Sequence, residues 1–158
     1  FHVTGVQTCA LPIYRVGLVS RFADEVVVCA ADGIEDEVRA LAPDGVDAIL
    51  DPLAGDFSEP CVRLLAPKGA LVLYGASAGP AFSFAPQEMY RKNARVIGYS
   101  GLPVAPEDTA RAMESLFAQV AAGTLDPVIA DELALDEAND AVARIRENRA
   151  GGKLLLRP

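Results

Sequence analysis

Two stretches, Val46 to Gly55 and Ala70 to Gly79, are short, nearly continuous apolar runs that end in small, Gly-rich sequence. Strands buried on both faces read this way, and they belong to parallel sheets covered by helices. Between them, Asp56 to Ala66 reads as a helix: Asp56 can cap, Glu59 stands three residues on, and Cys61, Leu64 and Leu65 fall on one side. Pro67-Lys68-Gly69 then breaks the chain, so residues 46 to 75 predict one strand, helix, strand unit. In open sheets of this kind ligands bind beyond the carboxyl ends of the strands, here the turns 51 to 55 and 75 to 79.

The flanking pattern extends the alternation. Tyr14 to Ser20 suits either a strand or a helix end, and Glu25 to Ala30 a strand; Tyr74, on its own strand, reads as core. Asp32 and Glu35 have capping-box spacing, with Ile34, Val38 and Leu41 along one helical face and Pro43-Asp44-Gly45 as the stop. After Gly79 comes a loop with Phe82 and Phe84, then a short helix from Pro86 to about Asn93 and a strand at Arg95 to Gly101. Pro106, Glu107 and Asp108 open the longest helix, which Gly123 ends; its stripe Met113, Leu116, Phe117 and Val120 predicts core packing. Asp126 to Ala130 is extended. Asp136 can cap a last helix with an inner stripe of Ala138, Ala141, Val142 and Ile145 and with Arg144, Arg146 and Arg149 near its end, and Lys153 to Leu156 forms a final strand after Gly151-Gly152.

Composition narrows the class. The 158 residues suffice for one domain with a core, and 51% hydrophobic with 23% charged residues marks an ordinary globular chain. No apolar run approaches the ~20 residues needed to cross a bilayer, so no membrane partner is expected. The net charge of −8 argues against a nucleic-acid surface and suits a cytoplasmic protein. Cys9, Cys29 and Cys61 make no C-x-x-C pair, and the single histidine is His2, so neither a histidine triad nor a zinc held by several His or Cys ligands can be assembled from this chain.

Residues 1 to 13 have no clear period and no basic start of the signal-peptide kind. They resemble the translation of a sequencing adapter, and are set aside from fold reasoning together with His2 and Cys9. The expectation is that the natural protein begins upstream of Tyr14; a genuine edge strand at the amino terminus is the alternative.

Four segments in order carry a family resemblance: Gly45 to Gly55, Leu64 to Gly79, Lys92 to Ser100, and Gly151 to Leu156. Together they resemble the carboxyl half of the medium-chain dehydrogenase/reductase superfamily, most closely the NADPH:quinone oxidoreductases, which usually lack zinc. The implied fold is α/β, a partial Rossmann-like doubly wound parallel sheet. The implied domains are a truncated dinucleotide-binding domain over 14 to 125 and, over 126 to 158, a helix and strand that return to a catalytic domain absent from this sequence. The family's Gly-rich phosphate turn is absent too, since no G-x-G-x-x-G occurs anywhere. In the strand order 3-2-1-4-5-6 the lost first strand lies beside the fourth, which would leave one wall of the cofactor crevice.

The resemblance also implies site residues. Asp51, Leu53 and Gly55 would border the adenosine side and ribose. Gly75, Ala76 and Ser77 would offer backbone groups to the nicotinamide end, Tyr99, Ser100 and Gly101 would lie against the nicotinamide, and Gly152 and Lys153 would reach the cofactor's edge. The cofactor is NADPH, with NADH as the alternative, and no metal in this segment. The substrate is a quinone or α,β-unsaturated carbonyl compound, and no catalytic residue falls in this chain. Full-length relatives are commonly dimers paired through the strand near Val96, and an exposed strand edge predicts that this polypeptide associates; as a fragment with one wall of the crevice, it is expected to bind NADPH weakly or not at all and to be inactive alone. The alternatives are a zinc-dependent alcohol dehydrogenase whose ligands lie upstream, and a non-catalytic α/β domain that binds a nucleotide or a protein partner.

Overall fold

A computed structural model describes residues 6–7, 16–147 and 149–158; His2 and Cys9 lie outside them. The chain forms two compact units, residues 1–101 and 102–158. The first is built on the expected strand, helix, strand unit. Strand β3 (Val46–Asp51) pairs in parallel with β4 (Leu65–Leu73), and α3 (Ser58–Leu64) connects them after a single 3-10 turn at Gly55–Phe57. Strand β5 (Arg95–Gly98) adds in parallel to the far side of β4, giving the order β3-β4-β5.

Pairing in β4 starts earlier than the sequence pattern predicts. Val46 lies opposite Leu65 and Ala48 opposite Ala70, so Ala66 to Gly69 bulge out instead of breaking the strand. Lys68 takes a φ of 66° there, and its N–H is satisfied by the Lys92 carbonyl at 2.7 Å.

The core sits on one face of this sheet. Ile34 and Val38 from α2 (Ile34–Leu41) meet Cys61, Val62 and Leu64 of α3 and Leu65 and Leu71 of β4, with Val62 and Leu71 fully buried. The other face differs from the expectation of burial on both sides. Leu50, Val72 and Ile97 are register partners across the three strands, and Leu50 is 68% exposed. Tyr74, expected in the core, is 52% exposed because it falls one residue past β4.

Before β3, the ambiguous Tyr14 to Ser20 stretch contains a helical turn, α1 (Val16–Val19), closed by the Ser20 hydroxyl donating to the Val16 carbonyl at 2.8 Å. The strand expected over 25 to 30 is limited to β2 (Glu25–Val26), which pairs in parallel with β1 (Val6–Gln7), inside the adapter-like stretch, and not with β3. In the order 3-2-1-4-5-6 the third strand does not touch the fourth, so β2 and β3 are not expected to pair.

Neither expected carboxylate cap forms. Gly33 precedes α2 and Phe57 precedes α3, both without a side-chain cap. Glu35 and Glu59 turn to arginine instead: Arg39 Nε lies 3.2 Å and Arg63 Nε 2.7 Å from Glu35, and Arg63 Nη1 lies 2.7 Å from Glu59. A guanidinium brings a full positive charge to the bond where a backbone N–H brings only a dipole, and the Arg63–Glu35 pair ties α2 to α3. Helix α4 (Pro86–Tyr90) starts on its proline as read, and ends three residues before Asn93.

The second unit is another parallel strand, helix, strand element. Strand β6 (Ile129–Ala134) pairs with β7 (Lys153–Arg157), and α6 (Ala138–Arg146) follows a 3-10 turn at Leu135–Glu137. Glu137, not Asp136, supplies the acceptor at that helix start, taking the Ala134 N–H at 2.8 Å. Helix α5 (Pro106–Ala121) begins on Pro106 with Glu107 and Asp108 in its first turn, as read. Its apolar stripe is not core: Met113, Leu116, Phe117 and Val120 all remain exposed, Phe117 at 64%. Of the α6 stripe only Ala141 is buried.

Candidate functional site

The carboxyl ends of β3, β4 and β5 bring most of the sequence-predicted residues to one rim of the first unit. Asp51 ends β3 and is 3% exposed. Its Oδ1 accepts the N–H of Leu53 at 2.7 Å and of Ala54 at 3.1 Å, an Asx turn that stops the strand and reverses the chain. Oδ2 is sealed from solvent without a hydrogen-bond partner among the described residues, as is the hydroxyl of Ser58.

The 75 to 79 turn hangs on this first turn. The Ser77 N–H and hydroxyl both donate to the Pro52 carbonyl, at 3.2 and 3.1 Å, the Ala78 N–H donates to Leu53 at 2.9 Å, and Ala54 bridges to Gly79. Glycine is required at two places. A Cβ on Gly75 would lie 2.6 Å from the Pro52 carbonyl oxygen, and Gly55 takes a φ of +58° with Ala78 backbone where a side chain would go. The Tyr99 N–H donates to the Leu73 carbonyl at 2.9 Å, which brings the end of β5 beside that of β4.

Asp51, Leu53, Gly55, Gly75, Ala76, Ser77 and Tyr99 therefore share one rim, followed in the chain by Ser100 and Gly101. Ala76, Ser77, Tyr99, Ser100 and Gly101 are exposed along it, and a Cβ on Gly101 would meet nothing. Gly152 and Lys153 belong to the second unit, at the amino end of β7, where the Lys153 N–H donates to Val128 at 2.7 Å.

Sequence reasoning missed a neighbouring cleft. It measures about 570 Å³ and is lined by Ala30, Ala31, Asp32, Gly55, Asp56 and Glu59, with Pro60, Arg63 and Ser83 completing it. Ala30-Ala31 after β2 is the same signal that marked the other two turns, an extended apolar stretch finishing in small residues. Ala54 was also missed: its φ of 54° and ψ of −144° lie in a region that L-residues rarely visit.

Burial, with the Asp51 charge adding to it, pushes the Cys61 thiol up to about 12, and burial with Glu37 and Asp32 raises Cys29. Neither thiol is set up as a nucleophile. Among the described residues no cluster of three or more His, Cys, Asp or Glu could hold a metal ion. What the rim offers is main chain, small side chains and the Tyr99 ring.

Several known proteins are similar to this chain. The synaptic vesicle membrane protein VAT-1 homolog-like of Homo sapiens is 30% identical over 141 residues, covering 76% of this chain and 34% of that protein. The quinone oxidoreductase-like protein 2 of Bos taurus is 29% identical over 125 residues, covering 75% and 35%. The chain thus spans about a third of the length of these curated relatives. Among solved structures, a mycobacterial quinone oxidoreductase superposes with a TM-score of 0.80 at 21% identity, over 97% of this chain and 48% of that one. A mycobacterial protein complexed with NADPH gives 0.78 at 21% identity, over 97% and 48%. These similarities establish the Rossmann-like α/β fold. The family model of the zinc-binding dehydrogenases matches residues 23–156, and the chain belongs to that family, within the medium-chain dehydrogenase/reductase superfamily.

Proposed function

We propose that this chain is the nucleotide-facing part of an NAD(P)H-dependent oxidoreductase that transfers hydride to a quinone, enone or related carbonyl compound. The observation that carries the proposal is the shared rim: two interlocked turns of small residues and the end of a third strand, all at the carboxyl ends of parallel strands, where doubly wound sheets bind ligands. The relatives support the choice of reaction, since a quinone oxidoreductase and an NADPH-complexed protein share the fold.

The residues present fit one side of a dinucleotide. Exposed small residues at Ala76 and Ser77 and the open space at Gly101 admit a flat ring against main chain, and Tyr99 supplies an aromatic face. The cleft that Gly55 lines is large enough for an adenosine moiety. A bound nicotinamide supplies the hydride itself, while the protein supplies position and surroundings. This chain's part is to hold the ring's edge with backbone groups and to keep bulk away from it. No residue here is assigned a proton-transfer role. The 14 to 125 and 126 to 158 division, a cytoplasmic setting, NADPH in preference to NADH, and homodimerisation through β5 belong to the same proposal.

The family's description and a TM-score of 0.78 to an NAD-dependent alcohol dehydrogenase favour a second reading, a zinc-dependent alcohol dehydrogenase with its metal ligands elsewhere in the polypeptide. One experiment separates the two. The complete polypeptide that carries this chain is purified, its metal content measured, and nucleotide turnover followed with a quinone, an enone and a primary alcohol. Metal-free NADPH oxidation by quinone or enone is expected. Stoichiometric zinc with alcohol-dependent reduction of the nucleotide supports the second reading, and no turnover with any of the three overturns both.

A further inference from the structure

Asp51 stands at the carboxyl end of a strand in a candidate nucleotide site, where an acidic residue invites the reading that it bonds a ribose hydroxyl. Its geometry is against that. Oδ1 already accepts two turn amides, those of Leu53 and Ala54, and Oδ2 is enclosed by protein. The cleft beside it is lined by Gly55 and Asp56 and not by Asp51. A carboxylate whose oxygens are engaged or enclosed has nothing to offer a ligand.

The same carboxylate fixes what the ligand would meet. By holding the 53 and 54 amides it draws the chain into a turn in which Ala54 adopts its unfavourable φ of 54°. That turn aims the Pro52 and Leu53 carbonyls at the second turn, where they take three hydrogen bonds from Ser77 and Ala78. The strain of that conformation at Ala54 persists only while the surrounding bonds hold it.

We propose that Asp51 is a positioning residue: its buried carboxylate shapes the backbone of the rim and does not touch the dinucleotide. The proposal deepens the nicotinamide reading of the rim and rests on it for its functional meaning, while its structural half stands on the Asx turn alone.

The test compares the 158-residue chain with its Asp51→Ala and Asp51→Asn variants by residue-resolved amide hydrogen exchange, and follows the Ala76 and Ser77 resonances as NADPH is added. Asp51→Ala is expected to speed exchange at Ala54, Ser77 and Ala78 about tenfold or more, the effect of losing about one buried hydrogen bond, with Leu71 and Val72 unchanged. Asp51→Asn keeps an acceptor oxygen and is expected to restore the rim amides to within about threefold of the parent, a difference below 1 kcal/mol. Unchanged rim exchange in Asp51→Ala overturns the proposal. So does an Asp51→Asn variant that loses rim protection while keeping its core. If Asp51→Ala does not fold, Asp51→Asn decides the matter in the same way. An Asp51→Asn chain with intact rim protection but no NADPH-induced shifts, where the parent shows them, overturns it too, because the charge would then be touching the cofactor. If high NADPH shifts nothing in the parent, as one wall of a crevice alone is expected to behave, the exchange comparison by itself decides the role of Asp51.

Discussion

Cys61 is 5% exposed among Val62, Leu64 and Leu71, and burial, helped by the Asp51 charge, pushes its thiol up to about 12. Thiolate is the reactive form, so at neutral and mildly alkaline pH this side chain is an inert apolar filler. Iodoacetamide at about pH 8 is expected to leave Cys61 unmodified in the folded chain and to label it fully in denaturant, with labelled peptides resolved by mass spectrometry. Rapid labelling of folded Cys61 would mean that the core around Leu71 opens freely. Its role was legible in the sequence, since a lone cysteine on the inner side of a helix with no partner pattern reads as a buried thiol. Asp51 is the contrasting case. Its identity and its place at a strand end were legible, but the direction of its carboxylate was not, because that depends on amides two and three residues on that fold back over it.

The strand, helix, strand order between residues 46 and 73 follows the sequence pattern because one face of each apolar run has helices to pack against. Caps and bulges do not, since they are settled by competition between local partners. Glu35 and Glu59 were placed for capping by spacing alone, yet arginines on the same and the adjacent helix outbid the backbone. Pro67-Lys68-Gly69 reads as a break, yet Lys92 satisfies the Lys68 amide and lets pairing continue around it. The stripe on α5 has helical period but finds too little surface to cover it.

The α2–α3 link carries a prediction about acid. Partial burial pushes the Glu35 carboxyl up, but the hydrogen bonds from Arg63 and Arg39 outweigh it and hold the group below its ordinary value. A carboxyl whose folded value is depressed contributes stability that is complete above its ordinary value and is lost as pH falls through the folded one. The urea midpoint is therefore expected to fall on acidification from about pH 5.5 to about pH 3, and part of that fall is expected to vanish in Glu35→Gln. At neutral pH the substitution is expected to cost about 1 kcal/mol or less, as partly exposed pairs do. A Glu35→Gln chain with the parent's full acid dependence would place the sensitivity elsewhere.

At the scale of the whole chain, apolar surface and net charge oppose each other. The Leu50, Val72 and Ile97 row presents apolar side chains on the uncovered face of the three-stranded sheet, and β3 pairs with a single neighbour, β4, among the described residues. Open apolar faces and free strand edges invite a second chain. The charge of −8 holds copies apart, and its reach shrinks to about 8 Å at physiological ionic strength. Association is therefore expected to grow with both protein and salt concentration in sedimentation velocity, since salt weakens the repulsion and leaves the apolar contact intact. Leu50→Glu is expected to shift the population toward monomer, because it puts a charge in the middle of the contact on a side chain already 68% exposed, with little effect on the core behind it. A parent chain that stays monomeric at high salt and unfolds in one cooperative transition would show that the sheet needs no further cover on that face.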